Sequence, residues 1–88
     1  MTRPILDRLD IAASDVAGAK TRVQWRQELW DVLRQMMDEV DAPVDRRRTI
    51  AGGLSYLVID DLPFANTDLG ERLLALAEEY SQDSPTVA

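Results

Sequence analysis

The stretch KTRVQWRQELWDVLRQMMDEV, residues 20–40, carries apolar side chains at two interlocking helical spacings, neither of which a β-strand can use. Trp25, Leu29, Val32 and Met36 step by four, three and four residues and form one stripe. Val23, Trp30 and Met37 recur every seven residues and form a second, interleaved with Leu33 and Val40. At about 100° per residue the two stripes cover close to half of the helix circumference, more than a surface helix in a small bundle needs. Something has to cover the surplus, either another part of this chain or another molecule.

Two more segments share the helical period. DAPVDRRRTIAGGLSYLVID predicts a helix over about 44–60, with Asp41 near its N-cap and Pro43 in its first turn, where a missing N–H costs nothing. Ile50, Ala51, Leu54, Leu57 and Val58 share one of its faces. NTDLGERLLALAEEY predicts a helix over about 68–81, with Asp68 and Glu71 at capping-box spacing and Leu69, Leu73, Leu76 and Tyr80 facing inward. Ahead of Ser14, Pro4 opens a short helical arm whose apolar side is Ile5, Leu6 and Leu9, and Ser14 is an alternative N-cap for an earlier start of the first long helix.

Alternating strand patterns are missing, and the connections between helices are only a few residues long, so sequential helices should be neighbours. The fold class expected is all-α: a compact three-helix bundle with a short N-terminal helical arm. Residues 1–83 form one domain, and 84–88 a flexible C-terminal tail. Beyond the stripes already named, Leu62 and Phe64 are expected in the core.

Composition narrows the function. The 88 residues include no cysteine and no histidine, which removes thiolate and imidazole chemistry and the commonest transition-metal ligands. An enzyme would have to work with carboxylates, arginines, hydroxyls and the single lysine, Lys20, so no catalytic residue, metal ligand or cofactor is assigned. The net charge is −6, and residues 45–88 are the more acidic half, which disfavours binding to a phosphate backbone. No apolar run approaches the roughly 18 residues of a membrane span. The chain is expected to be cytoplasmic.

Four features invite a functional reading. Arg46, Arg47 and Arg48 are the densest charge cluster, and they oppose the dipole at the start of their helix. Asp38, Glu39 and Asp41 are equally misplaced at the end of the helix before it, so mutual neutralisation is the first reading, ahead of a protein contact or nucleic acid. Gly52-Gly53 in mid-helix suggests the close approach of a bulky neighbour, Trp25 or Trp30, or else a helix crossing between subunits or with a partner, or a kink. Asp60-Asp61, just before Pro63, reads as a helix stop, because adjacent helical carboxylates point about 100° apart and cannot chelate one ion. The fourth is the surplus stripe, where Trp30 and Met37 have the chemistry of an interface.

AGGLSYLVIDDLPF resembles the core motif of small bacterial helical proteins of the YkvA-like type, in which an apolar helix meets an Asp-Leu-Ile-Pro-Asp turn. Phe64 stands where that motif has its last aspartate, the long flanking apolar helices are absent, and no function is carried over.

These observations lead to a small acidic non-catalytic interaction module, an adaptor, regulator or accessory subunit. It would dock a protein partner, or a second copy of itself, through Trp30, Met37, Val23 and Arg26, with Arg46 and Arg47 nearby. The alternatives are an acidic inhibitor that mimics nucleic acid on a basic target, as in phage or mobile-element proteins, and a weak nucleic-acid binder through Arg46–Arg48.

Overall fold

The computed structural model describes residues 4–20 and 22–82, and every regular element among them is helical. In chain order these are α1 (Pro4–Gly18), α2 (Val23–Asp38), α3 (Val44–Asp60), the single-turn α4 (Leu62–Ala65) and α5 (Asp68–Gln82). The expected tail at 84–88 and the end of the expected domain at 83 lie outside the described residues. The all-α class holds. The N-terminal segment, however, is not a short arm but a helix of 15 residues, comparable in length to the others.

The reason is visible in its spacing. Ile5, Leu9, Ala12, Ala13 and Val16 recur on one face and are all buried. The small Ala12 and Ala13 carry the stripe on to Val16, beyond Ser14, which is exposed in mid-helix and starts nothing. α1 packs against α2 and α5, so it covers much of the apolar surplus of α2. Trp25, Leu29, Leu33, Met36 and Val40 are buried, while Trp30, Val32 and Met37 are half-buried against the same core.

α3 contacts α5, α2 and α4. Its inward stripe is Arg47, Ile50, Ala51, Leu54 and Val58. Pro43, not Asp41, occupies the N-cap position, and its carbonyl accepts from the Arg47 N–H at 3.0 Å. At the other end Asp60 closes the helix, and Asp61 begins the next one: its carboxylate accepts from the Phe64 N–H at 3.3 Å, an N-cap for α4. Pro63 fits inside this first turn, where it needs no donor. Leu62, expected in the core, is instead 63% exposed, because it opens α4 on the outer side while Phe64 turns in.

α5 is capped one residue earlier than its sequence suggested. Thr67, rather than Asp68, places its Oγ1 to accept from the Gly70 N–H at 3.0 Å, and the same hydroxyl lies 2.6 Å from the Phe64 carbonyl. Gly70 is where glycine is required: a Cβ there would stand 2.2 Å from the Phe64 carbonyl oxygen and 2.9 Å from the Ala65 Cα. The backbones of α4 and α5 touch at this point. Leu69 and Leu57 are half-buried, and Leu73, Leu76, Ala77 and Tyr80 complete the core.

The bundle closes end to end. Pro4 and Ile5 in the first turn of α1, with Arg8 one turn on, share a recess with Glu79 and Gln82 from the last turn of α5.

Candidate functional site

Val23, Arg26 and Trp30 follow one another along the outer side of α2, at three- and four-residue steps. Together with Ala17 of α1 and Gln27 they line a shallow recess where the end of α1 meets the start of α2. Val23 is 72% exposed, whereas Arg26 and Trp30 are half-buried. The Arg26 guanidinium reaches back to the Ala17 carbonyl at 3.5 Å, beside the orphan acceptors of the α1 C-terminus. On the other side of the indole, the Arg34 guanidinium lies 5.1 Å from the Trp30 ring centroid, within cation–π range.

Three of the six residues expected at the partner face are thus brought together. Met37 lies two turns further along α2, about 10 Å from Trp30 at 1.5 Å rise per residue, and half of it is taken up by the core.

Arg46 and Arg47 part company. The Arg46 Nε and Nη2 donate to the two Glu39 carboxylate oxygens at 2.8 and 3.1 Å, a bidentate pair across the α2–α3 turn. This holds the Glu39 carboxyl below the usual glutamate range, with a hydrogen bond from Gln35 as the second cause. The neutralisation read from the sequence is therefore present, carried by this pair. Arg47 is a correction. It is 2% exposed, and its Nε and Nη1 donate to the carbonyls of Ala42 and Tyr80 at 3.0 and 2.9 Å. A guanidinium engaged with backbone in the core offers nothing to a partner.

The consequence for the arginine cluster is general. One member is paired, one is buried, and only Arg48 faces solvent without a hydrogen bond or ion pair among the described residues. The acids that a nucleic-acid mimic would need on one face, Asp60, Asp61, Glu78 and Glu79, are divided in the same way. Glu79 is ion-paired to Arg8, and Asp61 caps α4. Asp15 and Arg72 pair at 3.0 Å, so two ion pairs bridge the groove between α1 and α5 above Ile11, Leu73 and Leu76. Among the described residues no three carboxylates gather to hold a metal ion, and no helix is long and apolar enough to cross a membrane.

The close approach of a tryptophan, the first reading of Gly52 and Gly53, is absent. No heavy atom lies within 4 Å of a Cβ built on either, so neither tryptophan approaches them. They face outward, in line with an apolar surface that the sequence reading missed: Tyr56 at 70%, Ile59 at 53% and Leu62 at 63% exposure. The signal was present. SYLVID has apolar residues all round the helix rather than on one side, the mark of a helix with two apolar faces to cover. No family model, curated protein or solved structure matches the chain, so the site rests on its geometry.

Proposed function

We propose that the protein is a small acidic, non-catalytic protein–protein interaction module that docks a partner through the outer face of α2. The observation that carries this reading is the Trp30 indole, half-exposed beside the bare Val23 side chain and bracketed by Arg26 and Arg34. Tryptophan and arginine are the residues most enriched at interface hot spots, and a ring already held by its neighbours loses little freedom on binding. The half-buried Met37 extends the same face. The net charge of −6 over the whole chain favours a basic partner, while Arg26 and Arg34 beside the ring suit an acidic side chain at the contact itself.

The nucleic-acid mimic finds less support, because two of its four carboxylates, Glu79 and Asp61, are tied to an arginine and to a helix cap. Direct nucleic-acid binding is left with Arg48 alone of its three arginines.

A photo-crosslinking side chain placed at Val23 tests the reading in the cell that makes the protein. One specific adduct is expected, and Trp30→Ala should abolish it while leaving the helical circular dichroism unchanged. An adduct pattern indifferent to Trp30→Ala in a folded protein overturns the assignment.

A further inference from the structure

The outer face of α3 combines exposed apolar bulk, bare glycine and charges without partners among the described residues. Arg48, Thr49, Gly52, Gly53, Tyr56, Ile59 and Asp60 are all exposed along it. Of the six large apolar side chains most exposed among the described residues, two are Tyr56 and Ile59, and a third, Leu62, follows immediately. Mid-helix glycines destabilise a helix, and within this chain nothing approaches Gly52 or Gly53 to make use of the space they leave.

The charges at the two ends are misplaced for a lone helix. Arg48 stands near the positive N-terminus of α3 and Asp60 at its negative C-terminus, and neither has an ion-pair or hydrogen-bond partner among the described residues. A second α3 lying antiparallel against this face reverses both faults, because each arginine then meets the acidic end of the other helix. The sequence positions agree with a two-fold axis. Arg48 and Asp60 lie six residues either side of Leu54, and Gly52 and Tyr56 lie two either side. One register therefore sets Arg48 of each copy at the level of Asp60 of the other, and each Tyr56 ring at the level of the other Gly52. The bare glycine surface admits the ring and allows the helix axes to approach to about 8 Å.

The geometry points to a two-fold symmetric homodimer formed by an antiparallel α3–α3 crossing, with Tyr56 seated on Gly52 and Arg48 paired with Asp60 across the axis. A second copy is the occupant because bulk and space, and cation and anion, are placed symmetrically about one point, as an isologous interface requires. This surface is separate from the Trp30 face, so the dimer stands or falls independently of the partner reading. Two such faces bury on the order of 1,000 Å², the lower end for a specific interface, so the association is of modest strength.

Sedimentation equilibrium of the full chain, up to about 500 µM to suit an interface of this size, is the test. The unaltered protein should dimerise, and Tyr56→Glu should weaken the dimer at least tenfold. Arg48→Asp and Asp60→Arg should each do the same, since each sets like charges together twice. An equimolar mixture of those two variants should recover a heterodimer of the original affinity, because every contact is then opposite in sign. All three positions are exposed, so helical content should be unchanged. A monomer throughout the concentration range, a dimer unaffected by Tyr56→Glu, or no recovery on mixing overturns the proposal.

Discussion

The Tyr80 hydroxyl, projecting from α5, lies 2.8 Å from the Met36 carbonyl and 3.1 Å from that of Glu39, where α2 runs out of its own hydrogen bonds. The Tyr80 carbonyl in turn accepts from the buried Arg47 guanidinium of α3, which also holds the Ala42 carbonyl in the α2–α3 turn. Three helices are stitched at one end through two residues, and the cation sits where the helix C-terminal dipoles favour it. Arg47→Met keeps the apolar stem but orphans both carbonyls, and should cost about 2–4 kcal/mol in urea unfolding. Tyr80→Phe deletes a single hydroxyl and should cost about 1–2 kcal/mol. Arg47→Ala should exceed Arg47→Met, since the stem is lost as well.

The glycines should respond to alanine in opposite directions. Gly70→Ala drives a methyl group into the Phe64 carbonyl and should destabilise the fold by about 2 kcal/mol or more. Gly52→Ala and Gly53→Ala meet open space and should each raise monomer stability by about 0.5–1 kcal/mol. Thermal melts at low protein concentration make the comparison directly.

Thr67→Ala removes the hydroxyl that caps α5, leaving the Gly70 N–H without its acceptor. A loss of about 1 kcal/mol is expected. Thr67→Ser should recover most of it, which a urea midpoint measures.

Acid should release the Arg46–Glu39 pair. Glu39 titrates lower when folded than when unfolded, so its contribution is complete above the ordinary value of 4.5 and disappears as pH falls through the depressed folded value. NMR titration of the Glu39 carboxyl should show the low midpoint, and Arg46→Gln should move it up towards the ordinary one. The difference in urea midpoint between the two proteins should vanish at the acidic end of that window.

Apolar periodicity carried much of this architecture. The bounds of α3, and the inward positions of Leu29, Leu33, Leu54, Leu73 and Tyr80, follow from spacing alone. α1 reads shorter in the sequence than it is because alanines continue its stripe, and alanine is a weak hydrophobic signal although it packs closely between helices. Residue type alone places Arg47 on the surface. It lies three residues before Ile50 and seven before Leu54, squarely on the inward stripe, but charge argued for the surface until the carbonyls that receive it were seen. Leu62 failed for the opposite reason, since a one-turn helix after Asp61 rotated it outward. At the candidate site, Trp30, Val23 and Arg26 were legible as a helical face. The α3 surface was not, because its exposed apolar residues were hidden among buried ones in SYLVID.

The recess shared by Pro4 and Gln82 has a topological corollary. With the first turn of α1 beside the last turn of α5, a brief polar linker can join them and a new opening can be cut elsewhere in the same bundle. The exposed connection at Lys20, between α1 and α2, is the natural place to cut. The rewired chain would begin with α2 and end with α1, so the order in which the helices leave the ribosome would change while their packing stayed the same.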